Sequence, residues 1–354
     1  MRQLIECVPN FSEGRDMGVI KQITDAIETV EGIKLLNVDP GKATNRTVVT
    51  FAGTPQEVID AAFLAIKKAS ELINMSEQTG EHPRIGATDV CPLIPIANIK
   101  MEEVVKYAHQ LGERIGRELG IPGYFYEYAA SSEERRNLAV VRKGEYEGLK
   151  TKLVDPKWKP DFGPAEFVKA KQTGATAISA RNFLIAYNIN LSTTSTEIAN
   201  TIACDIREKG RIKREGNVPE GVIVKDENGN TLWAPGSLKY VKAIGWYIKE
   251  YDLAQVSMNL TNMIKTPIHV VFEEVSKRAK AHGVKVTGSE LIGLIPKSAL
   301  LEAGIYFLEK EEKSTSVPEN EIIESAVRAM GLDALMPFHP KERIIEYLLN
   351  EDFN

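Results

Sequence analysis

One histidine stands in a loop whose sequence suits proton transfer. His82 lies in the stretch GEHPRIGATDVCP, residues 80–92, between an acidic residue and a proline. The glycines and prolines around it predict a rigid turn rather than a helix or a strand. An imidazole changes its protonation near neutral pH, so a histidine held at a cleft can take up a proton and return it. The alternative is an ordinary surface histidine.

The remaining histidines have no comparable setting. His109 and His269 lie in segments with helical periodicity. His282 directly precedes Gly283, and an imidazole at such a position suits the C-terminal end of a helix. His339 has no motif around it. His82 is therefore the candidate for acid–base chemistry.

The cysteines do not indicate a metal site or a disulfide framework. Cys7, Cys91 and Cys204 are odd in number, far apart in sequence and outside any C-x-x-C pair. Cys91 would be a nucleophile beside His82 only if the transfer were covalent, and it opens an apolar strand that would bury it. We predict three buried thiols and no bound metal.

Composition indicates a globular intracellular protein. The chain has 354 residues, of which 43% are hydrophobic and 26% charged, which is enough for two domains. The net charge of −5 and the lack of a basic stripe argue against nucleic acid, and the short basic run REKGRIKR at 207–214 is interpreted as a solvated helix end. The N-terminus does not resemble a signal peptide, and no apolar run is long enough to cross a membrane. We predict a cytoplasmic location.

The order of predicted elements repeats along the chain. The first half reads as β-α-β-β-α-β with an added α-β, and the second half repeats the same order. In each half a Thr-Pro pair, Thr54-Pro55 and Thr266-Pro267, follows the predicted hairpin and opens the returning helix. Glu57 completes a capping box in the first half. The predicted fold is α+β, two ferredoxin-like sandwiches with a cleft between them.

The predicted boundaries divide the chain into three parts. Residues 1–178 form the N-terminal subdomain, residues 179–300 the C-terminal subdomain, and residues 301–354 an extension with a terminal helix. Three prolines in DPKWKPDFGPAEF predict an extended, structured connector over 131–180. The segment 211–237 is predicted to be an inserted hairpin at the surface that turns at Asn228-Gly229.

Eight sequence blocks, in order, resemble the formiminotransferase family across nearly the whole chain. They are ECVPNFSEGRD, LLNVDPGKATNRTVVTFAG, GEHPRIGATDVCPLIPI, DFGPAEF, ARNFLIAYNINL, IGWYI, AQVSMNL and PKERIIEYL.

The resemblance implies a fold, a reaction and a catalytic group. The fold would be two subdomains facing each other across a folate-binding tunnel. The reaction would move a formimino group between glutamate and N5 of tetrahydrofolate, a co-substrate, in histidine breakdown. His82 would be the general acid and base. The family also implies a homodimer, and vertebrate members continue into a cyclodeaminase domain that a separate polypeptide would have to supply here.

A carboxylate near the imidazole would orient it and stabilise a formimino cation. Asp39, at the end of a strand in NVDPGKATN, is the candidate, because such strand ends face the cleft. Asp39 could equally cap the turn that follows.

Two groups of residues are candidates for substrate contacts. The family's folate segment corresponds here to Asp161, Phe162, Gly163, Pro164, Ala165, Phe167 and Gln172, although Phe162 and Phe167 could instead be core of the connector. The guanidinium group of an arginine can bind a glutamate carboxylate through two parallel hydrogen bonds. The candidates for substrate binding are Asn10, Arg46, Arg84, Arg181, Asn188 and Asn190, and each arginine could instead pair within the protein.

Three functions are compatible with these residues. The first is a glutamate formimidoyltransferase. The second is a related folate enzyme that acts on 5-formyltetrahydrofolate or on another acceptor. The third is a non-catalytic folate-binding protein, which would be expected to lack the proton-transfer residue that this chain keeps at position 82.

Overall fold

The chain folds into two compact units. The computed structural model describes residues 2–42, 44–80, 82–216 and 220–350. One unit ends at Asn182 and the other begins at Phe183. The predicted boundary after residue 178 would divide the strand Thr176–Ala180, which pairs inside the first sheet, so the first unit extends four residues further.

The first unit is built on a mixed sheet. Its strands, within the described residues, are β1 Leu4–Cys7, β2 Asn10–Phe11, β3 Lys34–Gly41, β4 Arg46–Gly53, β5 Thr88–Ala97, β6 Gly123–Glu127 and β7 Thr176–Ala180. β1 and β2 lie between β4 and β5, β3 pairs with the other edge of β4, and all these pairs are antiparallel. β7 and then β6 extend the sheet from β5 in parallel.

The helices of the first unit cover both faces of this sheet. They are α1 Met17–Glu28, α2 Pro55–Leu72, α3 Met101–Glu118, α4 Leu138–Val141, α5 Leu149–Val154 and α6 Phe167–Ala170. The three long helices pack with alternate strand residues such as Phe51, Leu93 and Ile178 in the main core. The short helices α4–α6 cover Val90 and Tyr124 in a separate cluster.

The second unit contains a four-stranded antiparallel sheet in the order β13-β14-β8-β15. Its strands are β8 Ile185–Leu191, β9 Arg211–Ile212, β10 Arg214–Glu215, β11 Val222–Ile223, β12 Trp233–Ala234, β13 Val241–Ile248, β14 Leu253–Leu260 and β15 Val286–Ile292. Its helices are α7 Thr196–Ile206, α8 Ile268–Ala281, α9 Lys297–Lys310, α10 Glu319–Met330, α11 Pro340–Arg343 and α12 Ile345–Asn350. Ile323, Met330 and Ile344 join the core of this unit, so the segment after residue 300 is part of it.

The duplicated ferredoxin-like order is confirmed in both units. In each βαββαβ series the first strand lies between the third and the fourth, and the second strand is at the edge. This arrangement places β1, β2 and β8 at equivalent central positions. The two Thr-Pro pairs differ, however. Pro55 is the first residue of α2, whereas Pro267 precedes α8 and the Thr266 hydroxyl donates to the carbonyl of Lys239 at 2.7 Å.

Two segments have a structure that differs from the one predicted from the sequence. The 131–180 connector is not extended, because it folds into α4–α6, two 3₁₀ turns and the added strand β7. The 211–237 insertion forms two small ladders, β9 with β12 and β10 with β11, instead of one hairpin. The expected turn is present, with Gly229 at φ 81° donating its N–H to the Asp226 carbonyl. Residues 217–219 of this segment lie outside the described residues.

The capping box predicted at α2 gives a test of the fold. The Glu57 carboxylate accepts a hydrogen bond from the Thr54 N–H at 3.0 Å and stands at the positive end of the helix. We expect Glu57→Ala to lower the free energy of unfolding by about 1 kcal/mol, measured by urea denaturation. Glu71→Ala, which removes an exposed partner of Lys67 from the last turn of the same helix, should change it little. Equal effects of both substitutions would contradict the capping role.

Candidate active site

A β-bulge places a carboxylate beside the predicted loop. Asn10 of β2 pairs with Val90 and Phe11 with Thr88, so Asp89 is the extra residue on β5 and has no partner on β2. A bulge of this kind turns a side chain away from the direction that regular alternation would give it. The side chain of Asp89 is completely buried.

Two arginines converge on this carboxylate. Arg46 donates from Nη1 to Oδ2 of Asp89, and Arg142 donates from Nη2 to the same oxygen and from Nε to Oδ1 at 3.2 Å. The N–H of Ile85, in the His82 loop, adds a hydrogen bond of 3.0 Å to Oδ1. Asp89 therefore links β4, the segment around α4 and the loop that carries His82.

The two arginines, Arg46 and Arg142, are named here the arginine pair. Burial alone would raise the pKa of the Asp89 carboxyl, but the charges of the arginine pair outweigh it and hold that pKa below its usual range. Asp89 is consequently ionised, and it neutralises only one of the two guanidinium charges. The cluster retains a net positive charge, which favours an anion next to it.

The hydrogen bond made by the His82 ring identifies its basic nitrogen. Nδ1 lies 2.8 Å from the carbonyl oxygen of Pro83, and a carbonyl can only accept. Nδ1 therefore carries the proton of the neutral ring, and Nε2 keeps its lone pair. Fixing one nitrogen in this way leaves the other as the base.

The surroundings of His82 keep the imidazole neutral. Burial, followed by the charges of Arg46 and Arg142, lowers its pKa to about 4, although the Pro83 hydrogen bond and the charge of Asp89 oppose this shift. The ring is uncharged at neutral pH. Because the folded-state pKa is depressed, this group's contribution to stability is retained above its ordinary pKa and is lost as the pH falls toward the folded-state value.

Asp39 lies on the same face of the sheet as this cluster. It pairs with Val48 of β4, and Asn10 pairs with Val48 from the opposite side. Two strand spacings, about 10 Å, therefore separate the backbones at Asp39 and Asn10. The carboxylate whose charge acts on His82 is Asp89. The role predicted for Asp39 stays a prediction.

The predicted arginines have different partners. Arg46 is also held through Nε, which donates to Oδ1 of Asn10 at 3.1 Å, so these two predicted residues do lie together. Arg84 instead donates to Gln78 and to the carboxylates of Glu145 and Glu147, in an open depression whose two acids exceed its one cation. That depression does not favour a carboxylate ligand.

The other polar candidates stand on elements other than the His82 loop. Arg181 donates to the carbonyl oxygen of Asn182 at 2.9 Å. Asn188 and Asn190 are neighbours on one face of β8 in the second unit, and both are buried. Their binding roles stay predictions.

In the predicted folate segment, some side chains are held by contacts within the protein and others are accessible to solvent. Asp161 accepts from the Phe125 N–H at 2.8 Å and pairs with Arg135, and Phe162 is buried with its ring 5.1 Å from that of Phe125. The side chains available to a ligand are those of the half-buried and exposed residues Pro164, Ala165, Phe167 and Gln172. Gly163, at φ 72°, has no room for a side chain, because a Cβ would lie 2.2 Å from the carbonyl oxygen of Ile121.

Sequence reasoning missed the two residues that complete the cluster. Asp89 lies inside the GEHPRIGATDVCP stretch, so an acid directly before an apolar strand was an available signal. Arg142 is 53 residues further along, in a segment without a motif, and only the fold brings it to Asp89. His109 and His269 lie in the predicted helices α3 and α8, and Cys7 and Cys91 are buried with their sulfurs 3.5 Å apart. Cys204 is only half-buried, because it lies on α7 beside the core residue Ala203 and not in the core itself, so the prediction of a buried thiol is wrong there.

The first unit of this duplicated ferredoxin-like fold thus carries a neutral histidine, with Nε2 unprotonated, beside a cluster of net positive charge. Both units match family models: residues 4–181 match the N-terminal subdomain of the formiminotransferase domain, and residues 186–350 match the formiminotransferase domain. The chain belongs to the formiminotransferase family.

Named relatives are similar over most of the chain. The formimidoyltransferase-cyclodeaminase of Gallus gallus is 50% identical over 99% of this chain, which spans 60% of that relative's length. The glutamate formimidoyltransferase of Thermoplasma acidophilum is 43% identical over 86% of this chain and 92% of its own length. The enzyme of the same name from Streptococcus pyogenes is 41% identical over 88% of this chain and 95% of its own.

Two kinds of feature are absent from the part of the chain that the structure describes. Among the described residues, no three His, Cys, Asp or Glu side chains are grouped as metal ligands. Within the same ranges no helix has both the length and the apolar character needed to cross a bilayer.

The buried Asp89 cluster gives a test of the site. Asp89→Asn would leave two largely buried guanidinium groups without their counter-ion, so we expect the free energy of unfolding to fall by about 3–5 kcal/mol in urea denaturation. Asp60→Asn is the matched control, because its pair with Arg114 is partly exposed and should contribute little. A loss at position 89 no larger than that at position 60 would show that the cluster does not hold the site together.

Proposed function

We propose that this protein is a glutamate formimidoyltransferase, which moves a formimino group between N-formimino-L-glutamate and N5 of tetrahydrofolate. The observation that carries the proposal is a neutral His82, with Nδ1 bound to Pro83 and Nε2 available, next to the positively charged arginine pair. Relatives of that name support the same assignment.

The transfer needs one group that moves a proton twice. Nε2 of His82 accepts the proton that N5 of tetrahydrofolate loses as N5 bonds to the formimino carbon. A tetrahedral adduct results. Nε2 then donates that proton to the glutamate nitrogen as the bond from this nitrogen to carbon breaks, which releases glutamate and leaves the formimino group on N5. Such a positioned acid and base typically contributes about 10²–10⁴ in rate.

The arginine pair would hold a carboxylate of the glutamate substrate. Guanidinium groups bind carboxylates through paired hydrogen bonds, and Asp89 has taken up only one of the two positive charges here. Arg84 is a poorer candidate, because Glu145 and Glu147 already occupy it. Asn10 orients Arg46 from the other side.

Substrate binding would also adjust the base. Burial lowers the pKa of His82 most, and the positive charge of the arginine pair adds to that effect in the free protein. A bound carboxylate would offset that charge and bring the pKa back toward its ordinary value, where an imidazole is matched to both proton transfers. The free enzyme would thus hold a weak base that becomes effective once the anionic substrate is present.

The remaining assignments follow from the family resemblance. Asp39, on the same sheet face as Asn10, would steady the formimino cation, and the accessible residues from Pro164 to Gln172 would contact the folate. A place in histidine degradation, a cytoplasmic location, a homodimer and a separate cyclodeaminase partner complete the proposal.

The test is a transfer assay with the purified protein, N-formimino-L-glutamate and tetrahydrofolate. We expect turnover by the wild type and a fall of about 10²–10⁴ in kcat for His82→Ala, with folate binding nearly unchanged, because the imidazole moves protons and does not hold the pterin. Added imidazole should restore part of the lost rate.

His282→Asn is the matched control, since His282 is exposed at the end of α8 in the second unit. Its kcat should equal that of the wild type. A His82→Ala variant that keeps kcat within a few-fold while KM for folate rises would make His82 a binding or loop-shaping residue, and a wild type without turnover would contradict the proposed function.

A further inference from the structure

A polar network covers one face of the sheet in the second unit. Alternation along β8 directs Tyr187 and Ile189 into the core with α7 and α8, and it directs Asn188 and Asn190 to the opposite face. On that opposite face, Asn190 pairs in register with Gln255 of β14, and Asn188 pairs with Glu290 of β15. Four polar side chains from three adjacent strands are therefore collected there.

The hydrogen bonds of this face form a connected chain. Nε1 of Trp246 donates to Oε1 of Gln255 at 3.0 Å, and Nε2 of Gln255 donates to Oδ1 of Asn190 at 2.7 Å. Amide groups of Gln255 and Asn188 each approach Oε2 of Glu290, at 3.4 Å. These contacts fix the orientations of the amide groups and locate the carboxylate between them.

The network is incomplete in a way that points to a ligand. Asn190 is 1% exposed, yet its Nδ2 has no hydrogen-bond partner, which is costly for a buried donor. Glu290 is half-buried and receives only two long hydrogen bonds from neutral amides, and none of the ion pairs of the described residues includes it. A single ligand could satisfy both groups, by accepting a hydrogen bond from the buried amide and donating hydrogen bonds to the carboxylate.

We propose that Glu290 binds the 2-amino and N3–H edge of the tetrahydropterin ring, an inference that rests on the proposed function. That edge presents two parallel N–H donors, as a guanidinium does, and a carboxylate accepts such a pair with both oxygens. The ring carbonyl next to N3 is an acceptor, which suits Nδ2 of Asn190. The half-buried indole of Trp246, held through Gln255, supplies an aromatic surface on the same face.

The test compares two ligands on the wild type and on Glu290→Gln. Tetrahydrofolate and its 2-desamino-2-methyl analogue differ in the amino group that Glu290 would accept from, and titration calorimetry gives both dissociation constants. We expect the wild type to bind tetrahydrofolate about 30–100-fold more tightly than the analogue, the range for a charge-assisted hydrogen bond. Glu290→Gln should reduce this ratio to within about 3-fold.

Glu309→Gln serves as the matched control, since Glu309 is exposed on α9 and should keep the wild-type ratio. The inference is overturned if the wild type binds both ligands equally or if Glu290→Gln retains the wild-type ratio. If either result comes with normal formimino transfer, the proposed function stands without it. A wild type that binds no tetrahydrofolate contradicts both.

Discussion

The site depends on one buried carboxylate that is shared by two arginines. Asp89 occupies the extra position of a β-bulge, where it has no strand partner and no contact with water. Its ion pairs fix Arg46 on β4 and Arg142 beside α4, and its hydrogen bond from Ile85 fixes the His82 loop. Because the bulge inserts a residue without a partner on β2, the Asp89 side chain can make these three contacts at one point. Asp89 thereby fixes the two guanidinium groups whose charges add to the effect of burial in lowering the pKa of His82.

The same topology serves different chemistry in the two units. Each has a central first strand, and each collects polar side chains on the sheet face opposite its long helices. In the first unit these side chains include cations, Arg46 above all, next to a histidine. In the second unit they are the amides of Asn188, Asn190 and Gln255 with the carboxylate of Glu290. One repeated topology thus carries a cationic cluster in the first unit and a network of amides with a carboxylate in the second.

Hydrophobic periodicity and capping signals were enough to predict the ferredoxin-like order of both units, because each long helix and each central strand carries its own pattern. The capped start of α2 at Pro55 is an example. The strand Thr176–Ala180 could not be predicted in the same way, since its five residues pair in parallel with strands that are distant in sequence. His82 was identified from its loop, whereas Arg142 reaches Asp89 only through tertiary packing. Arg84, like Arg46, lies in a sequence block that resembles the family, but its guanidinium pairs with Glu147.

Burial, and after it the charge of the arginine pair, lowers the pKa of His82, and we propose that a bound anionic substrate raises that pKa again. The most direct test is an NMR titration of the His82 ring nitrogens in the ¹⁵N-labelled protein, alone and saturated with L-glutamate. We expect protonation at Nε2 with a pKa of about 4 in the free protein and a clear rise toward the ordinary histidine value with glutamate bound. An ordinary pKa in the free protein, or one that glutamate at saturation leaves unchanged, would contradict it.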